Sequence, residues 1–199
     1  MNGQQAVCWG ANQLGQTGVV PPWVCGRSPC TLALNVPPVI VSQLGPAVRV
    51  SAQDSFTCAD MADGTVQCVG ANSSGQLGSG TLIPTPMPQS VGNGMQLRGV
   101  TTGTAHACAL SASSDAFCWG TNDRAQLGTG NSASSSVPVA VSAASDGTHT
   151  YRAIAAGSDH TCAIGTNNHI YCWGDNAWGQ LGTHFGPGQL TPGQAIDPS

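Results

Sequence analysis

One short block recurs four times in this chain: "CWGANQLGQTG" from Cys8, "CVGANSSGQLGSG" from Cys68, "CWGTNDRAQLGTG" from Cys118 and "CWGDNAWGQLGT" from Cys172. An enzyme rarely needs four of one site in a single chain, so the block reads as a structural unit. The copies are anchored on Trp9, Val69, Trp119 and Trp173, at intervals of 60, 50 and 54 residues. A period near 50 residues is what four short strands and their turns consume, which is the content of one propeller blade.

Each unit has the same parts. A Pro-rich strand follows the Gly-Gln-Leu-Gly turn: "PPVIVS" (37–42), "TPMPQSV" (85–91) and "VPVAVS" (137–142). A second strand comes next, "AVRVSA" (47–52), "QLRGVTT" (96–102) and "YRAIAA" (151–156). A hairpin closes the unit, its turns carrying Asp63-Gly64, Ser114-Asp115 and Asn167-Asn168; these residue types tolerate the left-handed region. In the Gly-Gln-Leu-Gly turn the Leu is expected to tuck underneath and the Gln to bond exposed backbone groups. Asn12, Asn72, Asn122 and Asn176 recur at one offset, as a side-chain lock on the turn requires. Ala125 stands where the other copies have the first Gly, so that place accepts a Cβ. The 27 Gly and 13 Pro suit short strands joined by turns.

The run "HTCAIGTNNHIYCWGDNAWGQLGT" resembles the repeat of the regulator of chromosome condensation family: a His-x-x-Ala-Leu strand, a turn, an aromatic-Trp-Gly, an Asn, then Gly-Gln-Leu-Gly. The resemblance covers essentially the whole chain. It implies an all-β propeller of four-stranded blades, usually seven in that family, and seven blades would need roughly 350 residues. The expected layout is a single propeller region over 1–199, with a partial unit 1–9, units 10–68, 69–118 and 119–172, and a partial unit 173–199. "LTPGQAI" (190–196) reads as the first strand of a further unit. The chain is therefore expected to be a piece of a larger propeller, or a subunit completed by a partner.

The cysteines repeat too. Cys58 and Cys68, Cys108 and Cys118, and Cys162 and Cys172 are each 10 apart, bracketing one hairpin turn. Facing residues of a non-hydrogen-bonded antiparallel pair stand about 4.5 Å apart, within disulfide range. Three such hairpins predict three disulfides; buried free thiols are the plainer alternative. A zinc site needs four converging ligands, usually with short Cys-x-x-Cys spacing, and none is expected. Cys25 and Cys30 in "CGRSPC" would close a small loop. Cys8 is left unpaired or intermolecular. Disulfides imply an oxidising compartment, so the protein is expected to be secreted. "MNGQQAVCWG" lacks a basic start and an apolar core, which places any signal peptide upstream or already removed. Ordinary members of the resembled family act in the nucleus or cytosol without these pairs, which weakens transfer of their function.

No convergent titratable set, phosphate loop or dinucleotide fingerprint appears, so no catalytic residue and no cofactor is assigned. His106 and His160 share one place in the unit with Phe56, which points to packing, with each histidine bonded to a neighbouring backbone carbonyl. Asp159-His160 and Asp54-Ser55 are sequence neighbours, expected on opposite faces of a strand. The net charge of −4, the absence of Lys and five scattered Arg argue against nucleic acid or an anionic membrane. No apolar run approaches a membrane span. Trp9, Trp119 and Trp173 follow the repeat and are expected between blades. Trp23 and Trp178 do not repeat. Trp23 and Arg27 lie in the insertion "VVPPWVCGRSPC"; on a stapled loop they would form a partner contact, unless Trp23 folds back on its own blade. Asn72-Ser73-Ser74 is a glycosylation sequon, but Asn72 is also a turn-locking residue.

The function expected from all this is a secreted, non-catalytic recognition or scaffold module acting through propeller-face loops. Its partner would be a protein, a neighbouring part of the same assembly, or a glycan. The alternatives are a regulator of a small GTPase resembling a guanine-nucleotide exchange factor, or an enzyme acting on a glycan or protein at the propeller face.

Overall fold

A computed structural model describes residues 7–18, 23–24, 31–32, 35–40, 45–183 and 186–195. Strand β1 (Val7–Ala11) pairs with β4 (Asn35–Ile40), and β2 (Trp23–Val24) pairs with β3 (Thr31–Leu32). Three antiparallel four-stranded sheets follow. The first holds β5 (Ala47–Gln53), β6 (Phe56–Met61), β7 (Val66–Gly70) and β8 (Thr85–Ser90); the second β9 (Leu97–Thr102), β10 (His106–Ser111), β11 (Ala116–Gly120) and β12 (Ser135–Ala140). The third holds β13 (Tyr151–Ala156), β14 (His160–Gly165), β15 (Ile170–Gly174) and β16 (Gln189–Gln194). The first strands of successive sheets pack on one another, so the sheets stand as blades with β5, β9 and β13 inward.

The strand sequences follow from these positions. β6 "FTCADM" and β10 "HACALS" are buried along their whole length, because a neighbouring sheet covers each face. Small residues there let the sheets approach closely. The outer strands are partly exposed and each carries a proline, Pro88, Pro138 and Pro192. A missing N–H at an open edge discourages pairing with a foreign strand.

The sheets are out of phase with the sequence divisions at 68/69, 118/119 and 172/173. β8 pairs with β7, β12 with β11 and β16 with β15. The strand after each turn thus belongs to the sheet of the hairpin before it. The turn reverses the chain, and the returning strand satisfies the open edge of the strand it has just left. Gln189–Gln194 accordingly completes the third sheet.

Two apolar clusters fill the seams. Phe56, Val66 and Leu77 of the first blade meet Leu97, Val100 and Trp119 of the second; Leu110 and Leu127 meet Tyr151, Ile154 and Trp173 of the third. Polar bonds cross the same seams. Buried Asp60 accepts the N–H groups of Gly99 (2.9 Å) and Val100 (3.0 Å). Ser51 Oγ meets Thr102 Oγ1 at 2.9 Å, and Ala156 N–H donates to Thr101 Oγ1 at 3.0 Å.

Candidate recognition surface

The repeated turns share one internal frame. The side-chain oxygens of Asn72, Asn122 and Asn176 accept the N–H groups of Leu77 (3.0 Å), Leu127 (2.9 Å) and Leu181 (3.2 Å); Asn12 does the same for Thr17 at 3.1 Å. At its other end Asn72 Nδ2 donates to the carbonyls of Thr81 (3.0 Å) and Ile83 (3.2 Å), and Asn122 Nδ2 to those of Asn131 (2.9 Å) and Ala133 (3.0 Å). One buried amide therefore holds both the turn and the connection after it. Gln16, Gln76, Gln126 and Gln180 accept the N–H groups of Leu14, Ser74, Arg124 and Trp178 through their side-chain oxygens. Leu77, Leu127 and Leu181 are buried beneath. The roles expected of the turn's Asn, Gln and Leu are those observed.

The next repeat clamps this frame, which explains why Cys-Trp-Gly and Gly-Gln-Leu-Gly travel together. The indole N–H of Trp173 donates to the carbonyl of Gln126 at 2.9 Å. A Cβ on Gly128 would stand 2.7 Å from the Trp173 indole nitrogen, so the turn's last residue must lack one.

On this fixed frame the two residues before the turn's first Gly, which is Ala125 in the third copy, are exposed apart from half-buried Ser74 and differ from copy to copy: Gln13-Leu14, Ser73-Ser74, Asp123-Arg124 and Ala177-Trp178. Trp178 is 84% exposed and Leu14 44%. The connection clamped by Asn72 displays Leu82 at 58% and Ile83 at 71%. Sequence reasoning gave Leu82 and Ile83 no role; their one signal is an apolar pair in a loop bounded by Gly80 and Pro84. Trp178 was visible as a tryptophan outside the repeat, but its exposure was not.

The other predicted residues fall as follows. Cys58–Cys68, Cys108–Cys118 and Cys162–Cys172 are bonded, each with Cα atoms 4.1 Å apart, directly opposite in their hairpins. Cys8 is a half-buried free thiol, and burial raises its pKa, which favours the protonated form over the thiolate. Trp23 lies in β2, opposite Leu32. Cys25, Arg27 and Cys30 lie outside the described residues. Asn72 is buried with its amide nitrogen bonded inward, so the folded chain does not present its sequon.

Two expectations need correction. The Nε2 of His106 lies 3.0 Å from the Thr161 hydroxyl, which itself donates to the Gln126 carbonyl at 3.0 Å. The expected backbone carbonyl is thus reached through a threonine of the next blade, because the seam brings β14 closer than the chain's own turn. Burial, with His160 adding repulsion, depresses the His106 pKa to about 3, so the ring is neutral. Asp54 and Ser55 are not on opposite faces: Ser55 Oγ donates to Asp54 Oδ2 at 2.9 Å. They sit in the tight turn between β5 and β6, with Asp54 at φ 51, where strand alternation does not hold.

Comparison with known proteins places these blades. The sequence profile described as Regulator of chromosome condensation (RCC1) repeat matches residues 114–164, and a second profile of the same description matches 151–180. Human WBSCR16 aligns at a TM-score of 0.80 and 21% identity, over 100% of this chain and 50% of that one. Yeast RCC1 (Prp20), solved bound to Kap60, aligns at 0.77 and 18%, over 98% and 45%. Prp20p from Saccharomyces cerevisiae, described with its binding to Gsp1p and histones, aligns at 0.76 and 20%, over 98% and 47%. The chain spans about half the length of these structures. At such identities the likeness establishes the fold, an RCC1-like β-propeller, and the two profiles mark residues 114–180 as RCC1-type repeat sequence, the stretch that holds the Cys118 block and most of the Cys172 block.

Proposed function

We propose that this chain is a secreted, non-catalytic recognition module that binds a partner protein through the turn side of its blades. The observation that carries this reading is the division of labour in the turns. The Asn side chain is held inside by the same turn bond in all four copies, over a buried Leu in three and Thr17 in the first, while Leu14, Arg124 and Trp178 are displayed outside and differ. A surface that is already ordered loses little entropy on binding, and Trp and Arg are enriched among the residues that dominate interfaces. Leu82 and Ile83 extend this display. The insertion with Trp23 and Arg27 is the corresponding connection of the first unit, so we include it. The structure of yeast RCC1 (Prp20) bound to Kap60 supports protein binding as one use of the fold. Three disulfides favour an oxidising compartment.

The test is capture from extracellular medium by the parent, by Trp178→Ala and by Leu82→Ser/Ile83→Ser, each verified as folded. Loss of the same captured proteins from either variant supports the reading. Identical capture by all three defeats it. Peptide mapping of the secreted protein under non-reducing conditions tests the compartment, and six free hairpin thiols would end that part of the proposal.

A further inference from the structure

The five arginines look scattered along the sequence, but three of them gather in the fold. Arg49, Arg98 and Arg152 lie on the inward strands β5, β9 and β13, and all three are exposed. Arg98 and Arg152 hold one repeat position, between a buried strand start (Leu97, Tyr151) and a buried apolar residue (Val100, Ile154). In the first blade Val48 takes that position and Arg49 follows it. The three strands are neighbours, joined by the Ser51–Thr102 and Thr101–Ala156 bonds. Arg49 reaches across its seam: a Cβ on Gly99, the residue beside Arg98, would stand 3.9 Å from its Nη1. Because the chain has no Lys, this wall holds most of its fixed cations.

The nearby carboxylates are engaged elsewhere. Asp60, opposite Arg49 in the sheet, is buried and spends both oxygens on the Gly99 and Val100 amides. Asp115 accepts the Ser113 hydroxyl. Arg98 itself donates to Ser114 Oγ at 3.1 Å. Among the described residues, Arg49, Arg98 and Arg152 form no ion pair. Three like charges on adjacent strands oppose the fold slightly, and an arriving anion would remove that cost.

We infer that Arg49, Arg98 and Arg152 form an axial docking wall for an acidic segment of a protein partner. Guanidinium groups present a planar fork that matches a carboxylate in two parallel bonds, and one such group per blade suits an extended chain running across the blades. Nucleic acid fits less well, because a net charge of −4 supplies no surrounding field to neutralise a run of phosphates. The inference rests on the protein-recognition reading but uses a different surface from the turn side, so each can fail alone.

The experiment is fluorescence anisotropy of the whole chain with a labelled hexa-aspartate peptide, at low and physiological salt, and with a single-stranded oligonucleotide. The parent should bind the peptide with an affinity that falls as salt rises. R49Q/R98Q/R152Q should weaken it roughly tenfold, and Trp178→Ala should not change it. Should the triple variant fail to fold, R152Q alone should weaken binding roughly twofold. The inference is overturned if the parent does not bind the peptide or if the folded arginine variants bind it equally. It is also overturned if the oligonucleotide binds more tightly through the same arginines.

Discussion

The indole N–H of Trp119 donates to the main-chain carbonyl of Gln76 at 3.0 Å, across 43 residues of sequence. It ties the second blade to the turn that precedes it. Both partners are buried. Trp119→Phe keeps much of the apolar packing but strands the carbonyl, at a cost of about 1–3 kcal/mol. Trp119→Ala also opens a cavity and should cost about 3–5 kcal/mol. Chemical denaturation should rank parent, Phe and Ala in that order; a Phe variant as stable as the parent would show that the bond carries no weight.

Asn72 holds a turn with one end of its amide and a connection with the other. Asn72→Ala would leave one amide and two carbonyls without partners, a loss of more than about 2 kcal/mol. The protein recovered from a glycosylating host should carry no glycan at Asn72. Peptide mass mapping checks the second point and urea melts the first.

The depressed pKa of His106 fixes the sign of a pH effect. Its folded value is about 3, against an ordinary 6.5, so the unfolded chain takes up the proton first as pH falls. The contribution is fully present above the unfolded value and is lost as pH falls from there toward the folded one. Between pH 6.5 and 5 the loss should reach about 2 kcal/mol. His106→Phe, which copies Phe56 at the equivalent place, should flatten that part of the profile. Denaturation midpoints at the two pH values, for parent and variant, decide it.

Ala125 sits at φ 64, where Gly15, Gly75 and Gly179 have φ 81, 80 and 74. The position accepts a Cβ, but at a cost. Ala125→Gly should stabilise by about 1 kcal/mol, the relief of left-handed strain exceeding the added freedom of the unfolded chain. Gly75→Ala should lose at least as much, since its Cβ would stand 2.5 Å from Ser136 Cα. Thermal melts showing the opposite signs would refute this account.

Much of the fold was legible because it is local and repeated. Turn chemistry, the ten-residue cysteine spacing and the two strand signals of each unit act over a few neighbours, and four copies average out the noise in any one. The blade phase was not legible. Whether Thr85–Ser90 joins the hairpin before it or after it depends on which strand edge lies open. The exposed residues of the candidate surface were also hidden, since Leu82 and Ile83 read as ordinary apolar residues until the Asn72 clamp turns their segment outward.

By itself the sequence determined the repeat, the all-β propeller class, the hairpin disulfide partners and the inward roles of Asn, Gln and Leu. These follow from backbone geometry within one unit. Only the tertiary structure decided what crosses between units: that His106 meets Thr161, that Trp119 caps Gln76, and that Arg49, Arg98 and Arg152 share one wall. The physical reason is that a blade's seams join residues about one repeat apart, and their pairing depends on how successive sheets stack, which no single unit's pattern encodes.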